Sequence, residues 1–136
     1  GEKMEPIRQM LGDTVTWALG GDAMAFDTTI ARLFERLPQV DWAGVHLLAE
    51  KLVGRENEFN FETFMRALRR HLDRRVRALA QEGAPPARLI GFARASEEIE
   101  ALAHETEVFN FDRKAMTLGV FERLAQADRV ARGDNA

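Results

Sequence analysis

The sequence predicts an all-α fold, a single bundle of about six helices occupying residues 1–136. Three observations carry that expectation. Every long segment repeats its apolar residues with the 3.6-residue period of a helix, and none sustains the two-residue alternation of a strand. The strongest turn signals, Gly20-Gly21, Pro38, Gly54 and Gly83-Ala84-Pro85-Pro86, fall between those segments. Finally, 46% hydrophobic and 30% charged residues suit a packed globular domain, and no linker divides the chain.

Taken in order, Pro6 opens a helix whose shared face is Ile7, Met10, Leu11, Thr14 and Ala18, and Gly20-Gly21 ends it. Asp22 is the expected cap of a second helix with the stripe Phe26, Ile30, Leu33, Phe34 and Leu37, stopped by Pro38. Asp41 caps a shorter third, carrying Trp42, Val45, Leu48, Ala49 and Leu52, which Gly54 closes. Asn60 is the expected cap of a long fourth helix, whose stripe runs Phe61, Phe64, Met65, Leu68, Leu72, Val76 and Leu79. A fifth, expected to be central, buries Leu89, Phe92, Ile99, Leu102 and Phe109, with small Ala93, Ser96, Ala103 and Thr106 between them. A sixth begins near Asp112, and the chain after Val130 is expected to fray.

Composition narrows the function classes. There are no cysteines, so neither a disulfide framework nor a thiolate metal site is available. No apolar run approaches the ~18 residues of a membrane span, so no membrane partner is expected. Charge is segregated: residues 1–65 carry 6 basic and 11 acidic side chains, 66–94 carry 8 and 2, and 95–136 carry 5 and 9. A positive middle between negative flanks can pair within the fold or mark a polar contact surface.

A search for catalytic chemistry returns little. None of the ten glycines precedes a Lys-Ser or Lys-Thr pair, so no phosphate-binding loop is present. The residues three before His46, His71 and His104 are Ala43, Leu68 and Ala101, so the Glu-x-x-His pairs of a di-iron bundle are missing. His104-Glu105 lacks the second histidine of a zinc protease, the position being Val108. Glu100 and His104 lie one turn apart, but with no third ligand they read as a solvent-facing pair. The expectation is a chain with no catalytic site, metal or cofactor.

Two charged features remain. In the fourth helix Arg66, Arg70, Arg74 and Arg77 fall opposite the apolar stripe, forming a basic surface that is either solvated and acid-paired or a contact for phosphates. No aromatic residues interleave with it to stack bases. Arg75 projects to the apolar side and needs a carboxylate, expected among Glu97, Glu98, Glu100 and Glu107.

The second feature is the junction Thr106-Glu107-Val108-Phe109-Asn110-Phe111-Asp112-Arg113-Lys114. Asn110 or Asp112 can cap the last helix, and Phe109 and Phe111 are expected to pin the turn to the core. Arg113 and Lys114 sit in a first helical turn, where the macrodipole disfavours cations by a few tenths of a kcal/mol. A carboxylate partner is therefore expected, from Glu105 or Glu107 or from another subunit. Beyond it the last helix has two apolar flanks, Leu118, Phe121, Leu124 and Ala125 on one and Met116, Val120, Ala127 and Ala131 on the other. The second flank is either wedged inside the bundle or offered to another subunit.

Asn110-Phe111-Asp112-Arg113-Lys114 ahead of Phe121-Glu122-Arg123-Leu124 resembles the C-terminal region of the delta-prime subunit of bacterial DNA polymerase III, a clamp-loader protein. Alphaproteobacterial members carry Asn-Leu-Asp-Arg-Lys there, and Phe111 replaces the leucine. Ala18-Leu19-Gly20, Leu37-Pro38 and His46-Leu47-Leu48-Ala49-Glu50-Lys51-Leu52 agree more loosely, so the similarity runs along nearly the whole chain. A gamma/tau collar domain is a neighbouring reading. The resemblance implies a clamp-loader collar-like helical domain that joins delta and gamma/tau subunits into a ring. It implies no cofactor in this piece, a cytoplasmic location, and contact with the sliding clamp and primer–template DNA only through the full complex. Nucleotide-binding modules of the AAA+ type lie N-terminal to the collar in that family. Gly1-Glu2-Lys3-Met4, with no initiator methionine, fits a cleavage scar ahead of a piece of such a subunit. The reading from another class is a helical nucleic-acid-binding domain that uses the stripe from Arg66 to Arg77.

Overall fold

The computed structural model describes residues 22–133, and these form five α-helices with no strand. The helices are α1 (Asp22–Glu35), α2 (Trp42–Glu50), α3 (Glu58–Gln81), α4 (Pro86–Phe109) and α5 (Arg113–Ala131), with a 3₁₀ turn at Arg55–Asn57. The all-α bundle read from the periodicity is thus what the chain forms. The helix expected over residues 6–18 and its Gly20-Gly21 stop lie outside the described residues. Asp22 is the first described residue and is the first residue of α1.

Each helix end has a local cause. Asp41 caps α2 as its position predicts, its Oδ1 accepting from the Gly44 amide at 3.1 Å. Gly44 leaves room for this cap, since a Cβ would stand 2.8 Å from Asp41 Oδ2 and 3.0 Å from Leu33 Cδ2 and push those side chains aside. Asn60 does not cap α3. The 3₁₀ turn feeds the chain into the helix two residues earlier, and Asn60 Nδ2 instead holds the preceding loop through Lys51 O (3.1 Å) and Asn57 Oδ1 (3.2 Å). At the end of α3 the Ala84 amide returns to Leu79 O at 3.0 Å with Gly83 at φ 73°, the closing pattern that needs a left-handed residue. Pro86 then starts α4, where its missing N–H costs nothing.

The core gathers where α1, α3 and α5 meet. Phe34 lies 6.4 Å from Phe64 and 5.6 Å from Phe121, ring centre to ring centre, and Phe64 lies 6.3 Å from Phe121. Around them Ile30, Leu48, Leu52, Met65, Leu68 and Leu124 are almost wholly buried. Each such side chain contributes on the order of 1.5–3 kcal/mol by leaving water.

The central helix is α5, not α4. Both apolar flanks of α5 are buried except for half-buried Leu118, and the helix packs against α4 and α2 besides the rings of α1 and α3. In contrast α4 buries Phe92, Ser96, Ile99, Ala103 and Thr106, a heptad-spaced seam that packs against α5 and α3. Leu89 and Leu102 are half-buried at its margins, and Phe109 is exposed. Fraying after Val130 is also not what the last described residues show. Ala131 is buried, and Arg132 reaches Asp128 at 3.0 Å and Leu37 O at 3.5 Å.

Candidate functional site

The junction before α5 divides its labour by residue. Asn110 ends α4 in the left-handed conformation (φ 54°), one that Asn tolerates better than most residues, while the Phe111 amide bonds Thr106 O at 3.1 Å. Asp112 is the cap of α5: its Oδ1 accepts from the Lys114 and Ala115 amides at 2.9 and 3.2 Å. Of the two expected capping residues, then, one closes the helix before the turn and the other opens the helix after it.

Arg113 does have a carboxylate partner, but not the expected one. Its Nη2 meets Glu58 Oε1 at 2.7 Å, its Nη1 donates to Leu52 O at 3.0 Å, and its guanidinium lies 4.0 Å from the Phe61 ring centre. Glu107 faces Arg69 at 4.0 Å instead. Lys114 is half-buried and has no carboxylate partner among the described residues. Met116 and Val120 lie in the chain's own core and offer no surface to a second subunit.

Phe109 and Phe111 do not pin the turn to the core. They stack on one another, centres 5.6 Å apart, and remain 62% and 55% exposed beside Val108 at 56%. The left-handed turn at Asn110 reverses the chain here, which leaves both rings on the outside of it. The result is an apolar tip at the α4–α5 junction.

On α3, Arg66, Arg70, Arg74 and Arg77 are exposed, as their helical angle predicts. Acid pairing reaches only part of this surface: Arg77 meets Asp73 at 3.2 Å, and Arg69 meets Glu107. Arg66 donates to Thr63 Oγ1 at 3.3 Å, and among the described residues Arg66, Arg70 and Arg74 have no carboxylate partner.

The far end of α5 holds a cluster that sequence reading missed. Arg75 pairs with Asp128 at 3.0 Å rather than with an α4 glutamate, and Arg132 takes the other oxygen of Asp128 at 3.0 Å. The Asp128 side chain is only 7% exposed. Beside it the His71 ring stacks on Phe34 at 4.4 Å. Burial first, then the charges of Arg75 and Arg74, lower the His71 pKa from 6.5 to about 4, against a smaller upward pull from Asp128. The sequence held the signal: Asp128 follows Phe121 by seven and Leu124 by four, so it continues the buried stripe of α5.

Glu100 and His104 are both exposed on α4, and no group of three or more His, Asp or Glu among the described residues can hold a metal ion. No helix among them is long and apolar enough to cross a membrane. No protein-family model, curated protein or solved structure matches this chain.

Proposed function

We propose that this chain is a non-catalytic oligomerisation domain, the collar of a clamp-loader subunit resembling delta-prime, which holds neighbouring subunits in a ring during DNA replication. The observation that carries this reading is the exposed apolar tip of Val108, Phe109 and Phe111. Large aromatic side chains left in water at a turn between two helices are what protein interfaces use as anchors. In the parent protein a nucleotide-binding module would precede the domain, and the sliding clamp and DNA would be met only by the assembled complex. The test is co-elution with delta and gamma/tau collar domains. Phe109→Ser with Phe111→Ser should abolish it while leaving the helical circular dichroism unchanged, and Lys114→Glu should weaken it. Retention of binding in the double variant, or none by the unaltered domain, overturns the reading.

A second reading has its own support: exposed Arg66, Arg70 and Arg74 without carboxylate partners among the described residues. It makes the domain a nucleic-acid binder through the phosphate backbone. Salt-dependent binding to primer–template DNA, with a slope that falls when Arg66 and Arg70 are replaced, would favour it over the collar.

A further inference from the structure

Beside Asp128, at the end of the bundle away from the apolar tip, lies an open cleft of about 400 Å³. Its polar lining comes from three helices: Glu35 of α1, His71, Arg74 and Arg75 of α3, and Asp128 of α5, with Arg132 just beyond. We propose that this cleft is a binding site for a phosphate-class oxyanion, gripped by Arg74 and Arg132 with His71 as a neutral hydrogen-bonding wall. The site stands apart from the assembly reading and does not depend on it.

The argument is one of unspent donors. Each guanidinium carries five N–H groups in a planar fork. Arg75 spends one on Asp128, and Arg132 spends one on Asp128 and one on Leu37 O. Arg74 spends none on any carboxylate among the described residues. Asp128 gives one oxygen to Arg75 and the other to Arg132, and its single charge is shared between them. It fixes Arg75 and Arg132 in place, which lowers the cost of ordering them around a ligand. Three cations against the carboxylates of Glu35 and Asp128 leave a net positive cleft. The planar forks suit tetrahedral oxyanions, whose oxygens accept several N–H groups together. His71 lies close enough to Arg74 and Arg75 for both to act on its charge, so its ring lies within the same field.

The experiment is an NMR titration of the full chain near neutral pH, following the His71 ring signals, with inorganic phosphate as the probe. Sodium chloride at matched ionic strength is the control. Phosphate should give a saturable shift that chloride does not. Arg74→Gln replaces an exposed side chain and should leave the fold intact; it should weaken binding about ten-fold. Glu35→Gln removes an opposing charge at the rim and should tighten binding about two- to five-fold. Arg66→Gln, on the same helix but outside the cleft, should change neither. Equal shifts from chloride, a linear response without saturation, or an unaltered titration in Arg74→Gln would overturn the proposal.

Discussion

At its N-terminal end α5 is anchored by a largely covered cation, and at its C-terminal end by a buried anion. Arg113 is 16% exposed and its partner Glu58 51%; Asp128 is 7% exposed and its partners Arg75 and Arg132 are 27% and 53%. Both choices oppose the helix macrodipole, which favours anions at the N-terminus and cations at the C-terminus. The opposition is small, and tertiary contacts outweigh it. Arg113 gains a ring face, a carbonyl and a carboxylate, and Asp128 gains two guanidiniums. The comparison teaches that the position of α5 is specified by partners distant in the chain. Glu58 and Leu52 lie 55 and 61 residues from Arg113, and Arg75 lies 53 from Asp128.

The two ends should respond unequally to perturbation. The largest effect belongs to Asp128→Ala, which leaves two guanidiniums without their shared carboxylate, Arg75 among them partly buried. It should cost about 3 kcal/mol in urea unfolding. Arg113→Met keeps much of the packing over Phe61 but orphans Leu52 O, and should cost about 2 kcal/mol; if it matches Asp128→Ala, the asymmetry between the ends is lost.

Acid separates the ends in another way. His71 takes up a proton near pH 4 in the folded protein and near 6.5 when unfolded, so the unfolded chain binds the proton first. Stability from this group is unchanged above about pH 6.5, falls as pH drops toward 4, and levels off below that. At pH 5 the loss should be about 2 kcal/mol, it should disappear in His71→Gln, and hydrogen exchange should quicken first around Asp128. Asp112→Ala removes only a cap and should cost about 1 kcal/mol. Smallest of all, Glu58→Gln should cost less than about 1 kcal/mol, because its carboxylate is half in water.

What could be read in the sequence was what local chemistry decides. Asp41 and Asp112 cap helices because an acidic oxygen just before an amphipathic run has amide donors within reach. The exposed face of Arg66, Arg70, Arg74 and Arg77 followed from helical angle alone. The need of Arg75 and Arg113 for counterions was also legible, since one lies toward the apolar side and the other in a first turn. The identities of those counterions were not, because Asp128 and Glu58 are set by how helices cross. Asn60 misled for a related reason: the 3₁₀ turn at Arg55–Asn57 moved the helix start upstream of it. Phe109 and Phe111 are apolar yet exposed, because the turn geometry at Asn110 sets them outside. Of the two candidate surfaces, the basic face was foreseen. The apolar tip was not, since Phe109 and Phe111 are residues whose apolar character points to the core, and neither was the cleft at His71 and Asp128.

Because α5 follows in the chain the helices whose core it completes, synthesis carries a consequence. Until Phe121 has left the ribosome, Phe34 and Phe64 lack the ring that covers them, and α1 to α3 hold an open apolar face. The domain therefore cannot finish its core vectorially, helix by helix. Premature termination before residue 121 should yield a chain that chaperones retain.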